Sequence, residues 1–222
     1  MKMNFKRLEP KSMKTKSLVV FMHGYGADGA DLLSIGNVLA DHLPDTLFVA
    51  PDAPTRCQLS NLGYQWFPIP NMDGSTESLA MEELDKISNF VNDWIDGLVS
   101  QEGLNHQNVF LFGFSQGTML SLYMGPQRRE VIGGIVGFSG KLINLNVFKE
   151  KIQTRPSILL IHGDEDQVVS PNCLPEAFDE LVKLNFNVKK HLSVGVGHGI
   201  APDGIKKALD FLVENTVSSV EQ

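Results

Sequence analysis

The sequence predicts an α/β fold, with a mostly parallel central sheet and helices on both of its faces. Short continuous apolar runs, as expected of strands buried on both sides, alternate along the chain with stretches of helical periodicity. That alternation is typical of parallel sheets whose strands are connected by helices. The chain has 222 residues and shows no internal repeat, low-complexity tract or linker, so we expect one domain over residues 1–222.

The first predicted elements are two strands, residues 4–8 and 17–22, joined by a polar turn into an edge hairpin. Lysines are frequent in this segment and would keep the sheet edge from pairing with another sheet; the alternative is a weak patch for anionic membranes. Helical spacing of apolar residues predicts a helix over 31–43, and the run 46–50 predicts a buried strand. Residues 56–75 show no periodicity, and a loop of that length is usually functional.

After this loop, helices and strands alternate towards the C-terminus. The predicted helices are residues 76–100, 118–124, 175–184 and 202–217. The predicted strands are residues 108–112, 131–138, 157–161 and 188–194. The carboxyl ends of parallel strands share one edge of the sheet, which is where α/β proteins gather their functional groups.

Composition and charge argue against several classes of function. The net charge of −7 argues against nucleic acid as a main partner. Apolar runs are shorter than the roughly 18 residues of a membrane span, and residues 18–22 are too short for a signal-peptide core, so we expect a cytoplasmic protein without stable membrane insertion. Cys57 and Cys173 are isolated, and neither zinc-ligand spacing nor a phosphate-binding loop occurs. We therefore expect no metal and no cofactor, and the sequence makes no prediction of oligomeric state.

The most informative motif is Gly-Phe-Ser-Gln-Gly at residues 113–117. It lies between a predicted strand and a predicted helix, which is the context of a nucleophile elbow. In that turn the serine backbone is strained, and side chains two residues before and after it would collide, so both flanking positions require glycine. Ser115 is therefore the candidate nucleophile.

A similar stretch, Gly-Phe-Ser-Gly-Lys at residues 137–141, serves as an internal control. Its first glycine matches the elbow, but Lys141 occupies the position where the second glycine is required. This copy fails the steric requirement, and we expect Ser139 to be a serine at the end of a strand.

A nucleophilic serine needs a histidine as base and a carboxylate that orients the histidine. The predicted strand 157–161 is followed by three successive carboxylates, and spacing alone does not choose between Asp164 and Asp166. The predicted strand 188–194 is followed by Gly-Val-Gly-His-Gly, whose glycines give His198 room to turn towards the serine. Serine, then acid, then histidine is the chain order of an α/β-hydrolase. The other five histidines lack this combination of position and glycine context.

Together these motifs resemble the phospholipase/carboxylesterase family of α/β-hydrolases, which includes bacterial carboxylesterases and acyl-protein thioesterases. The matching stretches follow the family's order: His-Gly-Tyr-Gly at 23–26, Gln-Trp-Phe at 65–67, Gly-Phe-Ser-Gln-Gly at 113–117, His-Gly-Asp-Glu-Asp at 162–166 and Gly-His-Gly at 197–199. The resemblance implies the α/β-hydrolase fold, with Ser115 as nucleophile, Asp166 as acid and His198 as base. One departure is Ser170, where members often carry proline, and it affects the rigidity of that loop.

An acyl-transfer site also needs two backbone N–H groups directed at the oxyanion. Mechanism assigns one of them to Gln116, the residue after the nucleophile, and the resemblance implies that Tyr25 provides the other. Four apolar side chains of the loop 56–75 are expected to form the wall of an acyl site: Leu59, Leu62, Trp66 and Phe67. The alternative is that they pack the loop onto the body of the protein.

The expected function is hydrolysis of carboxylic esters with short-to-medium acyl chains through an acyl-enzyme. Small-molecule or lipid esters are the expected substrates. Within the family, the alternative is an acyl-protein thioesterase acting on acylated protein, or a lysophospholipase.

Two functions of other classes stay open at this point. Residues 24–29 form a Gly-x-Gly-x-x-Gly pattern, and Asp52 ends the next strand about where a ribose-binding acid would lie, which is the pattern of an NAD-dependent oxidoreductase. The other alternative is a non-catalytic binding protein that keeps the hydrolase fold.

Overall fold

The computed structural model describes residues 2–57 and 63–218, and a sheet of seven strands forms its centre. The strands are β1 Phe5–Leu8, β2 Ser17–Met22, β3 Thr46–Pro51, β4 Thr55–Arg56, β5 Tyr64–Gln65, β6 Val109–Phe114, β7 Gly134–Phe138, β8 Ser157–Gly163 and β9 Val188–Ser193. The helices are α1 Gly29–Leu39, α2 Pro70–Asp73, α3 Glu77–Glu102, α4 Gln116–Met124, α5 Leu145–Lys151, α6 Cys173–Lys183 and α7 Pro202–Ser218. β4 and β5 form a separate two-stranded pair.

The strand order across the central sheet is β1-β3-β2-β6-β7-β8-β9. β1 pairs antiparallel with β3, and every other neighbouring pair in this order is parallel. The mostly parallel sheet predicted from the sequence is thereby confirmed. Because the strands run in one direction, the carboxyl ends of β2, β6, β8 and β9 meet at one edge of the sheet.

The predicted hairpin of residues 4–8 and 17–22 is wrong, although β1 does lie at the edge of the sheet. β1 pairs with β3, and β2 lies on the far side of β3. All six residues of β2 are buried, so this strand needs a neighbour on each side, and β3 and β6 fill both places. The half-exposed β1 is suited to an edge position.

Helices cover both faces of the sheet, because successive side chains of β2 belong alternately to two different cores. Leu18 and Val20 belong to the core on one face, with side chains from α3, α4 and α6. Val19 and Phe21 belong to the core on the other face, with side chains from α1 and α7. Burial on both sides explains why these strands read as continuous apolar runs.

Several elements differ from the sequence prediction. Residues 56–75, predicted to lack regular structure, include β5 and α2. α5 is a helix that the sequence did not reveal, because it has seven residues and buries Phe148 alone, which is too little for a periodic signal. β7 begins at Gly134 and not at residue 131. Within the described ranges, the helices lack the combination of length and apolar character that crossing a membrane requires.

Candidate active site

Ser115 occupies a sharp turn between the end of β6 and the start of α4. Its backbone has φ 53° and ψ −114°, a conformation that non-glycine residues rarely adopt. A Cβ on Gly117 would lie 1.9 Å from the carbonyl oxygen of Met22, and a Cβ on Gly113 would lie 2.5 Å from the amide nitrogen of Thr118. Glycine is therefore required at both positions, as the sequence predicts for an elbow.

The turn raises Ser115 into a cavity of about 530 Å³ at the carboxyl edge of the sheet. His198, Tyr25 and Gln116 line the same cavity. Most of the remaining wall is apolar, formed by Phe67, Ile69, Met72, Ala80, Met81, Leu84, Met119, Ile143, Val168 and Val169. A polar group set in such a wall is typical of a small-molecule site.

Asp166 holds His198 by a direct hydrogen bond. The Oδ2 of this buried carboxylate accepts from Nδ1 of His198 at 2.8 Å, and its Oδ1 accepts from the amides of Val168 and Val169, both at 2.9 Å. Burial raises the pKa of Asp166, but the hydrogen bond from His198 and those from the two amides outweigh burial and hold the pKa below its ordinary value. Asp166 is thus an ionised acceptor, which places the proton of His198 on Nδ1 and leaves Nε2 free to accept one.

A second histidine supports the same carboxylate from within the protein. His162 is buried, and its Nε2 lies 3.3 Å from Oδ2 of Asp166 and 2.9 Å from the carbonyl oxygen of Val169. The carbonyl can only accept, so Nε2 of His162 carries a proton and presents it to both oxygens. His162 is one of the five histidines to which the sequence assigned no catalytic role, and the structure shows that it contacts the acid.

Asp164, the other candidate acid, contacts a different part of the site. Its Oδ1 accepts from the amides of Gly195 at 2.7 Å and Val196 at 3.3 Å. These residues belong to the loop that carries His198, so Asp164 positions the loop and Asp166 contacts the imidazole. Sequence spacing alone did not show which of the two aspartates contacts His198, and their hydrogen bonds distinguish them.

Two features of the His198 loop were missed by sequence reasoning. The loop presses against the end of β8, since a Cβ on Gly163 would lie 2.2 Å from the carbonyl oxygen of Val196. The ring of Phe114 lies against the imidazole of His198, with 4.9 Å between their centroids. Phe114 is the residue before the serine, so its position in the motif is the one signal that could have pointed to it.

The loop after β2 is the expected source of the second oxyanion donor, and it lies beside the serine. A Cβ on Gly24 would lie 3.5 Å from the Cβ of Ser115. Hydrogen bonds between this loop and β5 hold it in place: Gly26 donates to the carbonyl of Tyr64, and Tyr64 donates to the carbonyl of Ala27, both at 2.8 Å. Tyr25 thus stands in a fixed loop at the cavity.

Gln116 has a structural role besides its place after the serine. Its side chain accepts from the amide of Trp66 at 2.9 Å and donates to the carbonyl of Phe67 at 2.7 Å. The elbow and the segment around residue 66 are therefore fastened together, although the two are 50 residues apart in sequence.

The predicted acyl wall is only partly supported. Phe67 lines the cavity, but Trp66 is buried in the core, where its indole N–H donates to the carbonyl of His23 at 2.9 Å. For Trp66, packing was the correct alternative, because a buried indole needs a hydrogen-bond acceptor and finds it in the fold. Leu59 and Leu62 lie outside the described residues.

In the glycine pattern at residues 24–29, the last glycine contacts the end of β3. The amide of Gly29 donates to Oδ1 of Asp52 at 2.9 Å, and a Cβ on Gly29 would lie 2.3 Å from the carbonyl oxygen of Ala50. Asp28 caps α1 by accepting from the amide of Ala30. Asp52, the ribose-binding acid of the oxidoreductase alternative, is thus hydrogen-bonded to the start of α1, and the absence of a side chain at Gly29 permits close packing of the helix on β3.

Comparison with known proteins agrees with this geometry. The family model described as Phospholipase/Carboxylesterase matches residues 3–216. An acyl-protein thioesterase 1 homolog from Dictyostelium discoideum is 27% identical over 200 residues, which cover 87% of this chain and 88% of the relative. Esterase YpfH from Escherichia coli is 27% identical over 197 residues, covering 89% and 82%.

Solved structures of esterases are also similar to this chain. The crystal structure of esterase PE8 matches with a TM-score of 0.91 and 37% identity, covering 96% of this chain and 99% of that one. The Bacillus cereus carboxylesterase matches with a TM-score of 0.77 at 18% identity, covering 96% and 94%, and this match concerns the fold alone. Since the family model covers nearly the whole chain and a 37% identical esterase shares its structure, the chain belongs to the phospholipase/carboxylesterase family and has the α/β-hydrolase fold.

Proposed function

We propose that this chain hydrolyses carboxylic esters through an acyl-enzyme formed on Ser115. Membership of the family makes it a hydrolase of esters or thioesters. The assignment of residues is supported above all by the hydrogen bond between Asp166 and His198. His198 lines the same cavity as Ser115, whose backbone is strained.

In the proposed mechanism, Nε2 of His198 takes the proton of the Ser115 hydroxyl as its oxygen attacks the ester carbonyl. The amides of Tyr25 and Gln116 donate hydrogen bonds to the oxyanion of the tetrahedral intermediate. His198 then protonates the leaving alcohol or thiol, and the acyl group remains on Ser115. Water, activated by the same imidazole, releases the carboxylic acid. Asp166 stays ionised throughout and stabilises the imidazolium.

The cavity supports substrates with a short-to-medium acyl chain. Its volume of about 530 Å³ and its apolar wall suit an aliphatic group beside the reacting carbonyl. Thioester hydrolysis on an acylated protein is the second candidate, because relatives that align over most of their length are named acyl-protein thioesterases. The leaving group is protonated by His198 in both reactions, so the same residues serve an ester and a thioester.

Rates on p-nitrophenyl esters from acetate to palmitate, and on matched thioesters, separate these candidates. We expect kcat/KM to rise from acetate and to fall steeply beyond octanoate. A maximum at palmitate would contradict the short-to-medium assignment. A strong preference for the thioester of each pair would favour the second candidate.

A fluorophosphonate probe tests the acyl-enzyme directly. The probe reacts with an activated serine, and mass spectrometry identifies the modified peptide. We expect modification at Ser115 and none in the Ser115→Ala variant. Labelling of another serine, or retained labelling of the variant, would refute the assignment of the nucleophile.

A further inference from the structure

The second Gly-Phe-Ser stretch brings a lysine to the rim of the candidate active site. β7 lies beside β6 in parallel register, with Gly137 opposite Gly113 and Phe138 opposite Phe114. The chain after β7 packs closely on the elbow, since a Cβ on Gly140 would lie 3.3 Å from the carbonyl oxygen of Ser115. Lys141, the next residue, is exposed and lines the cavity.

Lys141 is the one lysine or arginine among the described residues that line this cavity. Within residues 2–57 and 63–218, its ammonium group lies more than 4 Å from every carboxylate and forms no side-chain hydrogen bond. Most other lysines on the described surface have a carboxylate partner, as Lys149 and Lys183 do with Glu180. A cation left without a partner beside an apolar wall is available to a ligand.

The charge of Lys141 also affects the pKa of a neighbouring group in the cavity wall, the thiol of Cys173. Burial raises the pKa of the Cys173 thiol, and the positive charge of Lys141 opposes that rise. Cys173 lines the same cavity as Ser115 and His198. The ammonium group is therefore near enough to influence groups inside the cavity.

We propose that Lys141 recognises substrates that carry an anionic group, a carboxylate or a phosphate, close to the ester that is cleaved. This proposal rests on the proposed function of Ser115 and adds a substrate class to it. A charge-assisted hydrogen bond from an ammonium to such a group is stronger at a partly apolar wall than in bulk water. The anion could belong to the acyl part or to the alcohol part of the ester, and the two cases require separate substrates in the test.

Glu77 is the one carboxylate among the described residues of this lining, and it weakens the positive potential of the cavity. It lies in the first turn of α3, is exposed, and is not paired with Lys141 within 4 Å. Glu77→Gln should therefore shift the preference towards anionic esters, in the direction opposite to removal of Lys141.

The test compares matched esters with and without an anion. For the acyl side, p-nitrophenyl hemiglutarate is compared with its methyl-capped diester. For the alcohol side, 4-acetoxyphenyl phosphate is compared with phenyl acetate. The quantity measured is the ratio of kcat/KM for the anionic ester to kcat/KM for the neutral ester. It is determined for the wild type, Lys141→Met and Lys141→Arg, with Lys206→Met on α7 as a control away from the cavity.

We expect Lys141→Met to lower this ratio by about tenfold in one of the two arms. Lys141→Arg should retain most of the ratio, Lys206→Met should leave it unchanged, and added salt should reduce it in the wild type. An unchanged ratio for Lys141→Met in both arms would overturn the proposal. Hydrolysis of the neutral esters reports separately on the proposed function, because without esterase activity neither ester of a pair would be cleaved.

Discussion

The protein contains the tripeptide Gly-Phe-Ser twice, on neighbouring strands and in the same register, and the two copies have different surroundings. Ser115 and Ser139 have nearly the same backbone torsion, with φ 53° and 49°. Each amide donates to a carbonyl on the next strand, Ser115 to Phe138 and Ser139 to Ile161, at 2.9 and 2.8 Å. A positive φ alone therefore does not mark a nucleophile.

What differs is the chain that follows each serine. α4 begins directly after Ser115, and the absence of a Cβ on Gly117 lets this helix pack against the end of β2. After Ser139 no helix begins until Leu145, and Lys141 replaces the second glycine. Ser115 faces the cavity, whereas Ser139 is buried. The strand-end position expected for Ser139 agrees with the structure, but the second glycine serves helix packing and not the torsion of the serine.

Removal of the Ser115 hydroxyl should have the largest effect on activity. By analogy with other serine triads, Ser115→Ala should lower kcat by about four to six powers of ten. Esterase assays with a p-nitrophenyl ester measure the loss, and circular dichroism checks that the variant is folded. If the variant kept more than a tenth of the wild-type rate, Ser115 would not be the nucleophile.

The contrast between the two aspartates gives the next largest effect. Asp166→Asn should lower kcat by about three to four powers of ten, because an amide stabilises the imidazolium poorly and favours the wrong tautomer of His198. Asp164→Asn should cost far less, since the amide oxygen of asparagine can still accept from Gly195 and Val196. The two variants are compared by kcat on one ester, and the reverse ranking would assign the acid to Asp164.

The steric difference between the two turns can be tested by stability. Gly117→Ala should lower the free energy of unfolding by about 3 kcal/mol or more, because its Cβ would meet a backbone carbonyl that cannot move away. Gly97→Ala is the matched control, as an added Cβ there meets no atom within 4 Å and the residue lies within α3. The control should be more stable by about 0.5–1 kcal/mol. Urea unfolding measures both values, and a Gly117→Ala variant as stable as the wild type would show that the helix can shift.

The sequence predicted elements whose signal is local. β2 was predicted with its observed bounds because burial on both faces produces an uninterrupted apolar run. The partner of β1 was predicted wrongly, since nothing in residues 4–22 records that β3 lies between β1 and β2. Candidate site residues at strand ends, such as Ser115 and His198, could be found for the same local reason.

Contacts between distant loops could not be predicted. Asp164 and Asp166 differ in the partners that the fold gives them, and those partners lie about 30 residues further along the chain. Trp66 was ambiguous because an indole suits both an acyl wall and a core. Its hydrogen bond to the carbonyl of His23, which decides the matter, depends on tertiary structure.

The smallest effect is expected for Ser139→Ala, and it completes the comparison of the two turns. The Ser139 hydroxyl is buried and has no hydrogen-bond partner among residues 2–57 and 63–218, so its removal breaks no observed bond. Alanine carries the same Cβ as serine at a position with positive φ, which leaves the backbone strain unchanged. We expect kcat within about twofold of the wild type and a free energy of unfolding within about 0.5 kcal/mol. A loss of activity near that of Ser115→Ala would mean that the buried hydroxyl takes part in the reaction, and the distinction between a serine that faces the cavity and a buried serine would fail.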